Sequence, residues 1–472
     1  MCNISFLFFT NLETNGSLNR LSIIALGLLV RKLTRRNFSK LSALGIALAG
    51  LPVEETAGAT LSKAALTSAI RPVNLPEARG HRVVVVGGGW SGLTIAKYLK
   101  IYGPDLDVVL VERNSLFVSH PISGLWLAGM VNLEAITFSY LDAAANNDYA
   151  YLQASLIDLD RVNRTIYTDQ GRLNYDDLIL APGIDYDYAS IGVEEQAHEQ
   201  LLKTRYPAGF VSASEHITLK HKVENFKGGI FAMNAPAGIY RCSATPYERA
   251  CLVASVFKRE KIKGKVVLVD PREQPAVSAE GFLSAFDELY GDTIEYINSS
   301  VISVVNPENK SVLTDFDEII FDDAAIYPRI RGAYLLEQLG LADPNSAQME
   351  AAIDPFTYNA VSDANVYIAG DCRPMPFSKS GNTARTEGMY LAELVAARAR
   401  GHEISWKSPH TVCYSMVNTQ PNEAIMVDGK YQFNRVSGQW EHFENFAVNK
   451  RNEAMGNKTF EWAEEHYLDM FS

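Results

Sequence analysis

Short apolar runs and helix-period stretches alternate through the middle of this 472-residue chain. Residues 83–86, 108–111, 173–180, 229–233, 265–270 and 366–371 each carry a short apolar run, several of them rich in valine. Such runs read as strands buried on both faces, the pattern of parallel sheets. Residues 93–99, 246–259 and 383–398 instead repeat with helical period. The alternation predicts an α/β protein with two doubly wound units. The first spans 80–189 and resumes at 320–400; the second, 190–319, is inserted between. From His402 the pattern turns aromatic and polar, with Tyr414, Tyr431, Trp440, Phe460, Trp462 and Tyr467. This predicts a small α+β module over 401–472, its aromatics serving as core or interface. No internal repeat or low-complexity tract stands out.

Chemistry enters at the end of the first run. Four valines lead into Gly87, Gly88, Gly89, Trp90, Ser91 and Gly92, a G-x-G-x-x-G turn between strand and helix. Gly87 permits the tight turn and Gly89 lets backbone approach a pyrophosphate. Gly92 lets helix and strand pack closely, and the helix N-terminus favours the anion. Glu112, followed by Arg113, closes the second strand twenty positions after Gly92, where a ribose-hydroxyl acceptor belongs. Trp90 and Ser91 complete the candidate cradle. Ala181-Pro182-Gly183 ends the strand expected to return to this sheet. Gly370-Asp371 ends another, its carboxylate placed for a ribityl chain or phosphate. Lys379, Ser380 and Gly381 open a helix whose N-terminus suits the negative charge of a reduced flavin. Three fingerprints in this order point to FAD.

The second unit differs. Its strand-to-helix turn reads Ala235-Pro236-Ala237-Gly238-Ile239-Tyr240-Arg241-Cys242. Pro236 lacks an N–H, and Ile239 and Tyr240 are expected to fill a pyrophosphate's space. The unit keeps the fold and is expected not to bind NAD(P)H.

The net charge is −12, and residues 1–59 carry six Lys/Arg against three Asp/Glu, so the body stands near −15. An acidic body argues against nucleic acid. Thr34-Arg35-Arg36-Asn37-Phe38-Ser39-Lys40 matches a twin-arginine export signal, and the apolar run after it is too short to span a bilayer. Residues 1–59 are therefore expected to be a signal peptide cleaved after Ala57-Gly58-Ala59, and 60–79 a linker. The expected location is the periplasm, with no stable membrane span. Five cysteines are too few for a disulfide scaffold, and no Cys-x-x-Cys-His offers haem attachment. No metal-ligand constellation stands out.

The first glycine turn, Tyr240-Arg241-Cys242 with Pro246-Tyr247-Glu248-Arg249, Gly370-Asp371, and Pro374-Met375-Pro376 with Lys379-Ser380-Gly381 form a specific set. Thr411 with Cys413-Tyr414-Ser415 adds to it. Over residues 80–472 the chain resembles the flavoprotein subunit of flavocytochrome c sulfide dehydrogenase. The resemblance implies a glutathione-reductase-like pair of Rossmann-like domains with a C-terminal interface domain. It implies FAD, sulfide or a related small sulfur compound as donor, and a c-type cytochrome partner. It also implies a redox cysteine pair, of which Cys242 matches the first member. Ala351 stands at the place of the second, and neither Cys372 nor Cys413 is an obvious substitute. Cys251, nine residues on, is too far along a regular helix to bridge Cys242. Near a helix N-terminus and beside Arg241, Cys242 is expected to be a thiolate. His120 stands where some members tether FAD; a noncovalent flavin is the expected form, a histidyl link the alternative. Without a second cysteine, the other implied reading is a degenerate flavoprotein acting as electron-transfer or accessory partner of a sulfur-oxidising complex.

Overall fold

The structure, a computed structural model, describes residues 70–472. The expected signal peptide and residues 60–69 of the expected linker lie outside the described residues. Strand β1 (Arg82–Val86) is almost wholly buried and feeds, through the glycine turn, helix α1 (Trp90–Tyr102). Strand β2 (Asp107–Glu112) follows, parallel to β1 with Val84 opposite Val109. Then come β3 (Ala150–Gln153), an antiparallel meander over 156–174, and β4 (Asp177–Leu180). β4 returns beside β1, Val85 facing Ile179, so Ala181-Pro182-Gly183 arrives next to the glycine turn.

The second unit repeats this plan. β5 (Gly229–Asn234), α2 (Thr245–Arg259), β6 (Gly264–Val269) and β7 (Ile294–Ile297) precede a meander over 302–320 and β8 (Asp323–Ala325). Its sheet order, β8-β5-β6-β7, matches β4-β1-β2-β3 of the first. The two halves thus share one topology, which the residues do not betray because what repeats is burial period and not residue identity.

β9 (Asp363–Ile368) rejoins the first sheet beside β4 and leads into α3 (Gly381–Arg398). The C-terminal module is an antiparallel sheet, β10 (His410–Thr419), β11 (Asn422–Asn434) and β12 (Gln439–Asn452), capped by α4 (Glu453–Phe471). Asn452 caps α4 through Met455 N–H at 3.0 Å. The far end of α4 is tied down by Asp469, which takes Arg385 at 2.6 Å and the Tyr98 hydroxyl at 3.1 Å. Part of the aromatic set is core, as Trp406, Phe433 and Trp440 cluster with Phe356. Trp462 and Tyr467 instead reach the glycine turn, stacking and tilting against Trp90 at 5.7 and 5.8 Å. Among the described residues no helix is long and apolar enough to cross a membrane.

Candidate active site

The glycine turn is built for close approach. Gly87 sits at φ 104°, and a Cβ there would meet the Ala181 carbonyl at 2.3 Å. A Cβ on Gly92 would fall 1.8 Å from the Gly87 carbonyl, so helix and strand touch backbone to backbone. Gly89 alone faces open space, with nothing within 4 Å of such an atom. Glu112 secures the turn by accepting the Gly88 N–H at 2.8 Å, while its other oxygen takes Asn114 N–H at 2.8 Å. Arg113 is exposed beside it. The Ser91 hydroxyl is buried without a protein partner, against Gly370, which lies at φ 77°. Gly183, at φ 75°, lies under the Arg241 guanidinium.

The third fingerprint is partly engaged with protein. Asp371 accepts Arg241 Nε at 2.6 Å. Lys379 is buried, its ammonium held by Glu350 at 2.7 Å and by the carbonyls of Asp371 and Arg373 at 2.8 Å. Ser380 caps α3, and Gly381 leaves room for Pro121 and the Trp90 ring.

A cavity of about 80 Å³ opens between these elements, lined by His120, Cys242, Glu248, Ser380, Cys413 and Trp462 among others. His120 packs edge-on against His216, ring centres 4.6 Å apart, and both Nε2 atoms are buried without partners. Burial, reinforced by Arg241 and Arg249, drives the His216 pKa down to about 3. His120 is held well below its usual value by burial, then by His216 and the same arginines. Both imidazoles are neutral.

Cys242 corrects the thiolate expectation. It precedes the first turn of α2, at φ 55°, with its N–H bonded to the Lys379 carbonyl at 2.9 Å. Burial first, then Cys413 and Asp371, push its thiol up to about 12, against which the Arg241 guanidinium, turned to Asp371, prevails too little. Cys251 and Cys372 are fully buried, Cys251 inside regular helix. Two wall residues were visible in the sequence only as members of the family strings, Glu248 with no role assigned and Cys413 not an obvious redox partner. Glu248, in the first turn of α2, accepts Met416 N–H at 2.8 Å and is lifted by burial to about 7. Its place six positions after Cys242 gives no hint of that burial. Cys413 comes from β10, far along the chain from Cys242, and lines the same cavity. Among the described residues no group of three His, Cys, Asp or Glu could hold a metal ion.

The second unit's turn is closed, though not as expected. Ile239 is exposed, whereas Tyr240 is buried and bonds the Ser243 carbonyl at 3.1 Å. Arg272 lies over the Tyr240 ring and donates to the carbonyls of Pro236 and Gly238 at 2.9 Å. Asp270, at the ribose-acceptor end of β6, is fully buried and takes Tyr247 at 2.6 Å and Tyr296 at 2.9 Å.

An FAD fits the polar frame. The open face of Gly89, the unpartnered Ser91 hydroxyl and the Glu112 carboxylate would hold its diphosphate and ribose, and the α3 N-terminus would face its pyrimidine. Its ring end would lie toward the cavity, whose wall includes Trp462, stacked on Trp90 at 5.7 Å.

Fold, turn and frame define a flavoprotein of the pyridine nucleotide-disulphide oxidoreductase class. The family model of that name matches residues 81–208. The model for the central part of the sulfide dehydrogenase [flavocytochrome c] flavoprotein chain matches 217–327. The flavoprotein chain of that enzyme from Chlorobaculum thiosulfatiphilum is 52% identical over 42 residues, 9% of this chain and 88% of that sequence. The mitochondrial sulfide:quinone oxidoreductase of Schizosaccharomyces pombe is 21% identical over 328 residues, 64% of this chain and 70% of the relative. The structure of the sulfide:quinone oxidoreductase from Aquifex aeolicus superposes with TM-score 0.68 at 15% identity, covering 83% of this chain and 92% of that one. The chain belongs to the family of flavocytochrome c sulfide dehydrogenase flavoprotein chains.

Proposed function

We propose that this chain is an FAD-dependent oxidoreductase that draws electron pairs from sulfide or a related small sulfur compound and delivers them to a c-type cytochrome on another chain. The observation that carries the reading is the cavity. Its wall gathers the thiols of Cys242 and Cys413 and the Glu248 carboxyl at the end of the cradle where an FAD ring would lie. Arg249 and the α3 N-terminus give it positive character suited to hydrosulfide. Burial lifts the Glu248 carboxyl to about 7, so it is placed to take or return a proton near neutral pH. Bound FAD would supply two-electron acceptance and single-electron release. The closed second turn supports electron entry without NAD(P)H. In this reading the protein works in the periplasm after twin-arginine export, and the flavin is noncovalent. A flavin mass retained on the denatured chain would instead mean a link through His120.

A second reading, the degenerate accessory flavoprotein, is favoured by Ala351, which stands where the resemblance puts the second redox cysteine. Anaerobic titration separates the two. Bleaching of the flavin band by sulfide, with electrons passing to added cytochrome c, supports the enzyme; reduction by dithionite alone supports the accessory role. A chain that stays colourless after reconstitution with FAD, or that oxidises NADH rapidly, overturns both. Gly92→Ala places a methyl on the Gly87 carbonyl and is expected to lower flavin retention at least tenfold, read as flavin absorbance per chain after gel filtration.

A further inference from the structure

We propose that Cys413 is the redox partner of Cys242, so that the two thiols facing one cavity close into a disulfide and open again on hydrosulfide. The proposal deepens the sulfide reading above and rests on it for its biological sense. Its geometry comes from the α2 loop and β10 meeting at the start of α3. The backbone N–H of Cys242 bonds the Lys379 carbonyl, and Arg241 pairs with Lys379 as an isolated parallel bridge. From β10 the neighbouring Val412 N–H donates to Asn382 Oδ1 at 3.1 Å, which brings Cys413 to the start of α3. Cys242 reaches the same place through its backbone bond to Lys379. Both line the cavity, and both keep partial exposure. After burial, Cys413 is the strongest electrostatic influence on the Cys242 thiol. Both thiols are free, and the remaining described cysteines, Cys251 and Cys372, are sealed in core.

The chemistry balances without any bound group. Closing joins Sγ to Sγ, releases two protons and passes two electrons to a small-molecule disulfide, which leaves as two thiols. Hydrosulfide then attacks one sulfur of the protein disulfide. The old S–S bond breaks, a persulfide forms on one cysteine, and the other departs as thiolate. Glu248, on the same wall, is placed to protonate that thiolate. The incoming sulfur is oxidised and the departing cysteine reduced, electron for electron.

The test uses the full chain and needs no flavin or cytochrome, so its failure is distinct from failure of the dehydrogenase reading. The protein is treated with oxidised glutathione, alkylated, and digested without reductant. A linked Cys242–Cys413 peptide is expected, and hydrosulfide should then leave one cyanide-labile sulfur on each oxidised chain. In Cys413→Ser the linked peptide should be lost and Cys242 recovered alone, free or as its glutathione adduct, while the melting curve stays cooperative; Cys242→Ser serves as the second variant if Cys413→Ser does not fold. Recovery of Cys242 and Cys413 from folded wild-type protein as free thiols, or as separate glutathione adducts, overturns the proposal.

Discussion

Arg373→Met is expected to destabilise the fold by about 3–5 kcal/mol, the usual consequence of stripping one member from a buried ion pair. Arg373 and Glu387 are both fully enclosed, with Nε bonded to the two carboxylate oxygens at 2.8 and 3.0 Å. Glu387 also accepts the Tyr358 hydroxyl at 2.7 Å, and Arg373 reaches the carbonyls of Met375 at 2.7 Å and Ser378 at 3.1 Å. The guanidinium therefore holds the segment between Gly370-Asp371 and α3 in its course. Removing it leaves a bare carboxylate and several orphaned carbonyls in the core. Urea unfolding checks the figure. Glu387→Leu added to Arg373→Met should restore part of the loss, because the uncompensated charge is gone; a double variant as weak as the single would show that the carbonyl contacts dominate.

Acid should open the molecule through the imidazole pair. His216 and His120 have folded pKa values below their unfolded value near 6.5, so their neutral state contributes stability that is complete above that pH. The contribution is lost as pH falls toward the folded values, about 3 for His216. From His216 alone the loss should reach roughly 3 kcal/mol two units below its unfolded pKa. The facing charges, Arg241 and Arg249, stay positive throughout and oppose protonation. Melting temperature followed between pH 7 and 4 is expected to drop steeply, and His216→Leu should flatten that drop. An unchanged slope in the variant would assign the acid transition to carboxylates elsewhere.

The parts of this architecture legible beforehand are those where the backbone itself constrains the residue. Gly87 and Gly92 admit no Cβ, and Gly370 lies at positive φ, so each had to be glycine and each announced its place. The strands were equally plain, since burial on both faces leaves little but valine, isoleucine and leucine. The working chemistry of the cavity was not legible, because it depends on neighbours distant in the chain. His120 gives no hint of His216, nor Cys242 of Cys413. Glu248 looks like an ordinary helix-opening acid until burial raises it. Helix position suggested a thiolate at Cys242, but the dipole acts within the first turn and desolvation outweighs it. Likewise Ile239 was assigned a filling role by bulk alone, whereas the turn sends Tyr240 inward.

The shared topology of the two halves has a consequence for how this molecule divides its labour. Of the two equivalent turns this topology creates, only the one after β1 keeps an empty glycine face. The corresponding loop after β5 grips no phosphate, and it lends Cys242 to the chamber the first turn helps to build.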